Sequence, residues 1–359
     1  MSQHIKHLTQ LVALFLLLTA CSTEEVDVGR MHEVSLTVLS EEYHPYDVGS
    51  ALKALPAGFA LFNPAVSTTI DAFMPSAGQS PTEGAFTYDG SCWTSNILAE
   101  EGRTYQLYGM MPKSQLMPVS YAPFGGNYAN GAVLTLTNVL PVSMTDVCVI
   151  TGVKQGDKEH DSFSLLSDVR LGTFEFVGQS AKTGNTLFLL FNHILASVTL
   201  RMRIVPTSMS DYSLLRTIKL RSMSLQSAAG QALSATVTVQ RNETGAMPIT
   251  DISWTTTTAG TSECLTFEST EGLALTTDYQ DISTAYFAPN LDDVLLVTTY
   301  DVYDKEGNLL RENQRSENKL TQLNALNYGQ RTTLFLTVNP SYLYVLSNED
   351  LDNPTLTID

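Results

Sequence analysis

The residue whose surroundings most clearly indicate a chemical modification is Cys21. It directly follows Ala20, a small residue, and an apolar run extends from Leu11 to Leu18. A run this short is typical of a secretory signal peptide, because spanning a bilayer takes about 20 residues. A small residue before a cysteine is the pattern of lipoprotein leaders, whereas an ordinary signal peptide with a chance cysteine is the alternative. The sequence therefore predicts cleavage between Ala20 and Cys21, and lipidation of Cys21.

The segment after Cys21 begins with an acidic pair, Glu24 and Glu25. Two interpretations stay open: a surface-export signal of lipoproteins, or a solvated tether. Two or more acyl chains anchor a protein stably in a membrane. We expect a signal peptide over residues 1–20 and a tether over residues 21–32.

The other cysteines and histidines are not spaced as in a metal site or a catalytic centre. Cys92, Cys148 and Cys264 form no CxxC pair, so neither a disulfide framework nor a zinc site is predicted. One oxidised pair stays open for a protein outside the cytosol. We interpret all three as small buried hydrophobes. His193 lies in the most apolar stretch after the leader, which favours a hydrogen-bonded core histidine over a ligand or a base.

Motifs that would indicate catalysis are missing from the sequence. It contains no GxSxG, HExxH, GxxxxGK or GxGxxG arrangement at a suitable position, and these motifs carry the common nucleophile, metal and phosphate sites. The adjacent pair Asp292 and Asp293 cannot share a proton-transfer site, because neighbours on a strand point to opposite faces. The sequence predicts a protein that is not an enzyme and has no cofactor.

An acidic pattern near the C-terminus resembles a calcium-binding loop. Its oxygen-bearing side chains fall at positions 1, 3, 5 and 12 of such a loop: Asn348, Asp350, Asp352 and Asp359. However, Asn353 stands where the loop needs glycine, and Pro354 follows it. A proline-terminated turn is therefore favoured, and no metal site is predicted.

The charge balance disfavours two classes of partner. The chain has 20 Lys and Arg against 37 Asp and Glu, a net charge of −17. Such a surface repels nucleic acids and anionic membranes.

With 359 residues, the chain also exceeds what one hydrophobic core usually supports, which favours two domains.

Strand patterns dominate the sequence. Apolar residues alternate with polar ones over residues 34–38, 134–137 and 235–239, which indicates half-buried strands. Helical periodicity is scarce, so we expect under about a tenth of the residues in helices, against about a third in globular proteins. Residues 187–200 are predicted to form one long strand buried on both faces. A Gly-rich polar stretch places a domain boundary near Gly184.

Several of these segments resemble the fimbrillin-like family of pilus subunits. Residues 189–200 (LLFNHILASVTL) are similar to the F-x-H-x-x-A-x-V strand that opens the second domain of those proteins. Further similarity is found at residues 93–95, 105–109, 300–308 and 328–344. No single motif is specific to the family, so the resemblance rests on the order of the motifs along the chain together with the lipoprotein leader.

The resemblance implies an all-β fold of two tandem transthyretin-like antiparallel β-sandwich domains, over residues 33–184 and 185–359. It also implies a surface-exposed lipoprotein of the outer membrane and a fimbrial role, with other fimbrial subunits joined by β-strand addition. An Arg-specific protease often removes an N-terminal strand in this family. Here the first arginine after Cys21 is Arg30, and only eight residues separate the two. Cleavage after Arg30 would release no full strand, which favours an accessory anchor or tip subunit.

A glycan-binding surface lipoprotein is the alternative function. Aromatic side chains can form a sugar-binding platform, and the candidates are Trp93, Trp254, Tyr108, Tyr121 and Tyr128. Packing in a sandwich core is the competing interpretation of the same residues. A ligand on a host or bacterial surface stays open.

Overall fold

The computed structural model describes residues 31–33, 35–38, 66–156, 174–206, 212–241, 249–291 and 294–338. Within these ranges the regular secondary structure is almost all β-strand, which confirms the predicted all-β class. Its helical segments are one α-helical turn, α1 (Tyr212–Leu215), and 3-10 turns at Phe124–Gly126, Tyr128–Asn130, Lys182–Asn185 and Thr321–Ala325. None of the helices described has the length and apolar character that crossing a bilayer requires.

One group of strands closes on itself as a ring. Numbered in chain order, its members are β2 (Ser35–Val38), β3 (Thr69–Met74), β4 (Thr82–Tyr88), β5 (Trp93–Thr94), β8 (Tyr108–Met111), β12 (Cys148–Gly156) and β14 (Thr186–His193). Their order around the ring is β12-β14-β2-β5-β4-β3-β8. Strand β2 runs parallel to β14, with Ser35 opposite Thr186. Apolar side chains such as Phe86, Leu187 and Phe191 are buried in one core with the ring strands.

A four-stranded antiparallel sheet covers one outer face of this ring. Its strands are β9 (Val119–Pro123), β10 (Gly131–Val139), β17 (Ala232–Gln240) and β18 (Ile249–Thr258), in the order β18-β17-β10-β9. Leu134 and Val237 share a second core with Tyr108 and Val149 of the ring. The predicted alternation in β10 and β17 is confirmed, since every second residue is buried.

Two further four-stranded sheets form a sandwich. One contains β11 (Val142–Ser143), β15 (Ala196–Ile204), β20 (Gln280–Phe287) and β23 (Arg331–Val338) in the order β11-β20-β15-β23. The other contains β16 (Arg216–Ser227), β19 (Ser262–Ala274), β21 (Val294–Asp304) and β22 (Leu309–Lys319) in the order β19-β16-β21-β22. Val198, Leu220 and Leu296 belong to the core that the two sheets share. Facing sheets that bury their inner residues in this way are a β-sandwich.

Two short antiparallel pairs complete the described strands. Strand β1 (Met31–Glu33) pairs with β6 (Leu98–Glu100), and β7 (Thr104–Gln106) pairs with β13 (Glu175–Val177). Strand pairing also joins both sides of the predicted domain boundary near Gly184, because β10 pairs with β17 and β11 with β20. The division into residues 33–184 and 185–359 stays a prediction.

The prediction of one long strand over residues 187–200 is wrong. The run contains two strands, β14 in the ring and β15 in the sandwich, and the chain bends at Ile194 and Leu195. Both of these side chains are fully buried. No polar turn residue occupies this bend, because the crossover between the two sheets is itself inside the core.

The connection from β14 to β15 lies beside another one. Strand β11 of the sandwich leads into β12 of the ring through residues 144–147. The backbone N–H of Ile194 donates a hydrogen bond to the carbonyl of Val147 at 3.0 Å. Two chain segments therefore cross between the ring and the sandwich side by side.

Candidate functional site

The N-terminal strands are the first feature that bears on assembly. Strand β1 begins at Met31, the residue after Arg30, and β2 follows within the ring. Strand β2 pairs with β14 over four residues on one side, and Leu36 pairs with Trp93 on the other. The strand-shaped space between β14 and β5 is therefore filled by a segment that lies entirely after Arg30. Ala20, Cys21 and Arg30 themselves lie outside the described residues.

Sheet edges are the second feature, because an unpaired edge can accept a strand from another protein. Strands β18 and β22 each pair on one side within the part of the chain that the structure describes. Strand β22 carries alternating charges: Arg311, Glu312, Arg315, Glu317 and Lys319. Charged side chains protect an edge against added strands. This edge is therefore a poor acceptor.

The β22 edge is also fixed to its neighbour by a buried carboxylate. Asp301 is fully buried, and its Oδ2 accepts from Arg221 Nε at 2.6 Å. Its Oδ1 accepts from the backbone N–H of Asn313 at 2.9 Å. Asn313 has a φ of 53°, a left-handed conformation that interrupts regular strand geometry. The carboxylate thus holds β22 at an irregular point of the edge.

Strand β18 differs from β22 in its charge. Asp251 is the single charged residue among Ile249–Thr258. Ile252 and Trp254 pack partly buried against the core beneath the sheet, and residues 255–258 are exposed. A threonine-rich, nearly uncharged edge of ten residues has high β-propensity and little protection. Of the two edge strands β18 and β22, β18 is the better candidate acceptor.

A buried polar cluster is the third feature, and it lies at the two crossovers. His193 Nδ1 lies 2.6 Å from Asp146 Oδ2 and 3.2 Å from Cys148 Sγ. The Cys148 Sγ donates to Asp146 Oδ2 at 3.4 Å. His193 is 4% exposed and Cys148 is 1% exposed. His193 is the buried, hydrogen-bonded histidine that the sequence favours.

This cluster does not have the geometry of a thiol protease. A relay from nucleophile to carboxylate needs both nitrogens of the imidazole, one for each partner. Here the thiol and the carboxylate both approach Nδ1. Burial raises the pKa of the Cys148 thiol well above its ordinary value, and Asp146 adds to the effect. A buried thiol with a raised pKa is a weak nucleophile.

Tyr286 lies close enough to the cluster for Asp146 and Cys148 to affect its ionisation. Burial raises the pKa of Tyr286 to about 12, and the nearby Asp146 and Cys148 contribute. The tyrosine and both acidic groups thus share one poorly solvated environment.

A separate cavity of about 680 Å³ contains Asp71, Lys113 and Tyr121 in its wall. Tyr121 donates from its hydroxyl to Asp71 Oδ2 at 2.5 Å, and Lys113 Nζ lies 2.6 Å from Asp71 Oδ1. Burial raises the pKa of Tyr121, and the Asp71 carboxylate raises it further. The Asp71 oxygens are thus already bonded to neighbouring side chains.

The aromatic residues predicted to form a sugar platform do not meet on one surface. Tyr121 and Tyr128 pack on Phe73 with ring centroids 4.5 and 5.3 Å away, and Tyr108 is fully buried. Trp93 instead contacts Tyr88 at 5.3 Å. Core packing is therefore the correct interpretation for Tyr108, and the five residues form no shared platform.

Sequence reasoning missed how the cysteines would be placed. Cys148 is buried as predicted, but Cys264 is half-buried and Cys92 is exposed, so the interpretation of all three as buried hydrophobes is wrong for Cys92. Asp146 escaped notice altogether. Its spacing of two from Cys148 was the available signal, because residues two apart along an extended segment share a face. Two other features of the sequence lie outside the described residues: the pair Asp292 and Asp293, and the acidic pattern over residues 348–359.

Comparison with known proteins gives structural neighbours. No protein-family model matches the sequence, and no curated protein matches it. A fimbrial protein from Bacteroides vulgatus has 11% identity and a TM-score of 0.39, with 86% of this chain and 95% of that chain covered. A Bacteroides uniformis protein, provisionally described as a cell adhesion protein, has 16% identity and a TM-score of 0.40, with coverages of 86% and 94%.

A third neighbour is the fimbrial anchor protein Mfa2 from Porphyromonas gingivalis. It has 11% identity and a TM-score of 0.29, with 86% of this chain and 91% of that chain covered.

Proposed function

We propose that this chain is a structural, non-enzymatic subunit of a cell-surface fimbria, held at the outer membrane by a lipid on Cys21. Its role is that of an accessory anchor or tip subunit, which joins a partner subunit by β-strand addition. The observation that carries this proposal is the position of β1 and β2. Both follow Arg30, so cleavage there would release the tether without opening the ring.

The contrast between the β18 and β22 edges favours β18 as a point of assembly. Strand β22 is charged and fixed by Asp301, whereas β18 is almost uncharged. Added strands gain main-chain hydrogen bonds at an edge, and alternate side chains set their register. We infer that a partner strand adds to β18.

The role can be tested at Arg30. Arg30→Ala should leave the fibres polymerised, and immunogold labelling should find this chain once per fibre, at one end. Cys21→Ala should release the protein from the membrane fraction. A chain spaced along the whole shaft, together with loss of polymer in Arg30→Ala, would identify a shaft subunit instead.

The acceptor edge can be tested separately with one charge. Thr255 is exposed in β18, and Thr321 is an exposed threonine in a 3-10 turn. Thr255→Lys should reduce incorporation into fibres, because lysine on an edge strand disfavours pairing. Thr321→Lys is the matched control and should assemble normally. Equal incorporation of both variants would exclude β18 as the acceptor.

A further inference from the structure

Three ligand-type atoms converge at the crossovers between the ring and the sandwich. The Asp146 carboxylate, the Cys148 thiol and the His193 imidazole place one atom each within 4.8 Å of one another. Two of them approach a single nitrogen, His193 Nδ1, which has one hydrogen-bonding direction in the ring plane. The other carboxylate oxygen, Asp146 Oδ1, is buried and has no hydrogen-bond partner. A hydrogen-bonded arrangement alone leaves this polar group unsatisfied.

We propose that Asp146, Cys148 and His193 bind a zinc ion. Zinc takes sulfur, nitrogen and oxygen ligands in tetrahedral geometry, at about 2.3 Å for sulfur and about 2.0 Å for nitrogen and oxygen. These lengths place the three ligand atoms about 3.3 to 3.5 Å apart. The sulfur already lies 3.2 Å from the nitrogen and 3.4 Å from the oxygen.

One separation must widen for zinc to enter. The nitrogen-to-oxygen distance is 2.6 Å, about 0.7 Å shorter than the tetrahedral value. Asp146 can supply this movement, because it lies between β11 and β12 and its side chain is 16% exposed. Rotation of its carboxylate would also offer the unpartnered Oδ1 to the ion.

Charge balance favours a divalent cation. A thiolate and a carboxylate carry two negative charges, and a neutral imidazole adds none. One zinc ion neutralises the pair, so that no net charge is buried at the site. Binding releases the thiol proton to solvent, since cysteine ligates as the thiolate. Three protein ligands leave the fourth position of the tetrahedron open to a water molecule.

The position of the site indicates a structural role. Asp146 belongs to the crossover from β11 to β12, and His193 ends β14 just before the crossover to β15. A bound ion would join the two crossovers, which one backbone hydrogen bond between Ile194 and Val147 already links. Metal binding would thus stabilise the junction of the ring with the sandwich.

The test uses the full chain under reducing conditions, loaded with zinc and dialysed against metal-free buffer. One retained zinc per chain is expected by mass spectrometry. Cobalt substitution should give thiolate-to-metal charge-transfer absorption. Zinc at about 100 times its Kd should raise the ratio of folded to unfolded chains about 100-fold.

Variants assign the ligands. Cys148→Ser and Asp146→Asn should weaken zinc binding by more than the about 10- to 100-fold loss typical of residues that only support a ligand. Cys92→Ser and Cys264→Ser are controls outside the cluster and should bind as the parent chain does. Asp146→Asn is nearly isosteric, and its circular dichroism spectrum should match the parent. The proposal is overturned if the parent retains no zinc, or if both ligand variants bind as tightly as the controls.

Discussion

Replacing Leu187 by alanine tests whether the side chains of β14 fill the core of the ring and so support the neighbouring strand β2. Leu187 is fully buried and belongs to the ring core. Its backbone pairs with Leu36 of β2. The change removes three carbon groups worth about 0.8 kcal/mol each, or about 2.4 kcal/mol. The cavity left behind brings the expected loss to about 3 to 4 kcal/mol.

Urea unfolding measures this loss, and Leu265→Ala is its matched control. Leu265 lies on β19 and is 51% exposed, so its truncation should lower the free energy of unfolding by about 0.5 kcal/mol or less. Hydrogen exchange of the β2 amides should accelerate in Leu187→Ala, because β2 loses part of its support. Equal losses in the two variants would refute the placement of Leu187 in the ring core.

Three further predictions concern polar anchors and one close backbone approach. Asp301→Ala should lower the free energy of unfolding by about 2 to 3 kcal/mol in urea titrations, because the buried carboxylate accepts from both Arg221 Nε and the Asn313 N–H and both donors lose this partner. Asp281→Ala, whose side chain is 74% exposed in its ion pair, should change it by under about 0.5 kcal/mol. The backbone N–H groups of residues 91 and 92 hold the pKa of Asp89 below its ordinary value. The carboxylate therefore stabilises its turn at pH above about 3.9, and this contribution is lost as pH falls through the folded pKa. NMR titration should find Asp89 still ionised at about pH 3.9. A titration midpoint of Asp89 at that pH would contradict the turn geometry. Gly109→Ala should abolish soluble expression, since a Cβ would lie 2.0 Å from the Asp71 carbonyl, and a folded variant with unchanged thermal stability would contradict the pairing of β3 with β8.

The all-β class was readable from the sequence because strand periodicity is local. Alternation in β10 and β17 arises because each strand has one buried and one more exposed face. This pattern is visible in each short segment without knowledge of the rest of the fold. Their pairing with each other was not readable. It joins residues about a hundred positions apart, and nothing in either strand specifies its partner beyond the alternation.

The buried cluster escaped prediction for a related reason. Cys148 and His193 are opposite each other across the β12 and β14 ladder, and ladder register is invisible until the strands are paired. Cys148 lies between Val147 and Val149, and His193 lies within the most apolar stretch after the leader, so each residue looks like ordinary core. Chemistry that depends on cross-strand register therefore has no signature at fixed sequence spacing.

Strands β2, β22 and β18 differ in how open they are to an added strand. Strand β2 lies inside a closed ring, so its backbone groups face partners on both sides. Strand β22 is open on one side but carries five charged residues over its length, and a buried carboxylate fixes its irregular point. Strand β18 carries a single charged residue over its ten, and an edge with so little charge is retained where pairing is useful and otherwise selected against. With β18 as the proposed acceptor and an embedded N-terminal strand, the chain would join a neighbour at one end, as a component that begins or terminates a fibre must.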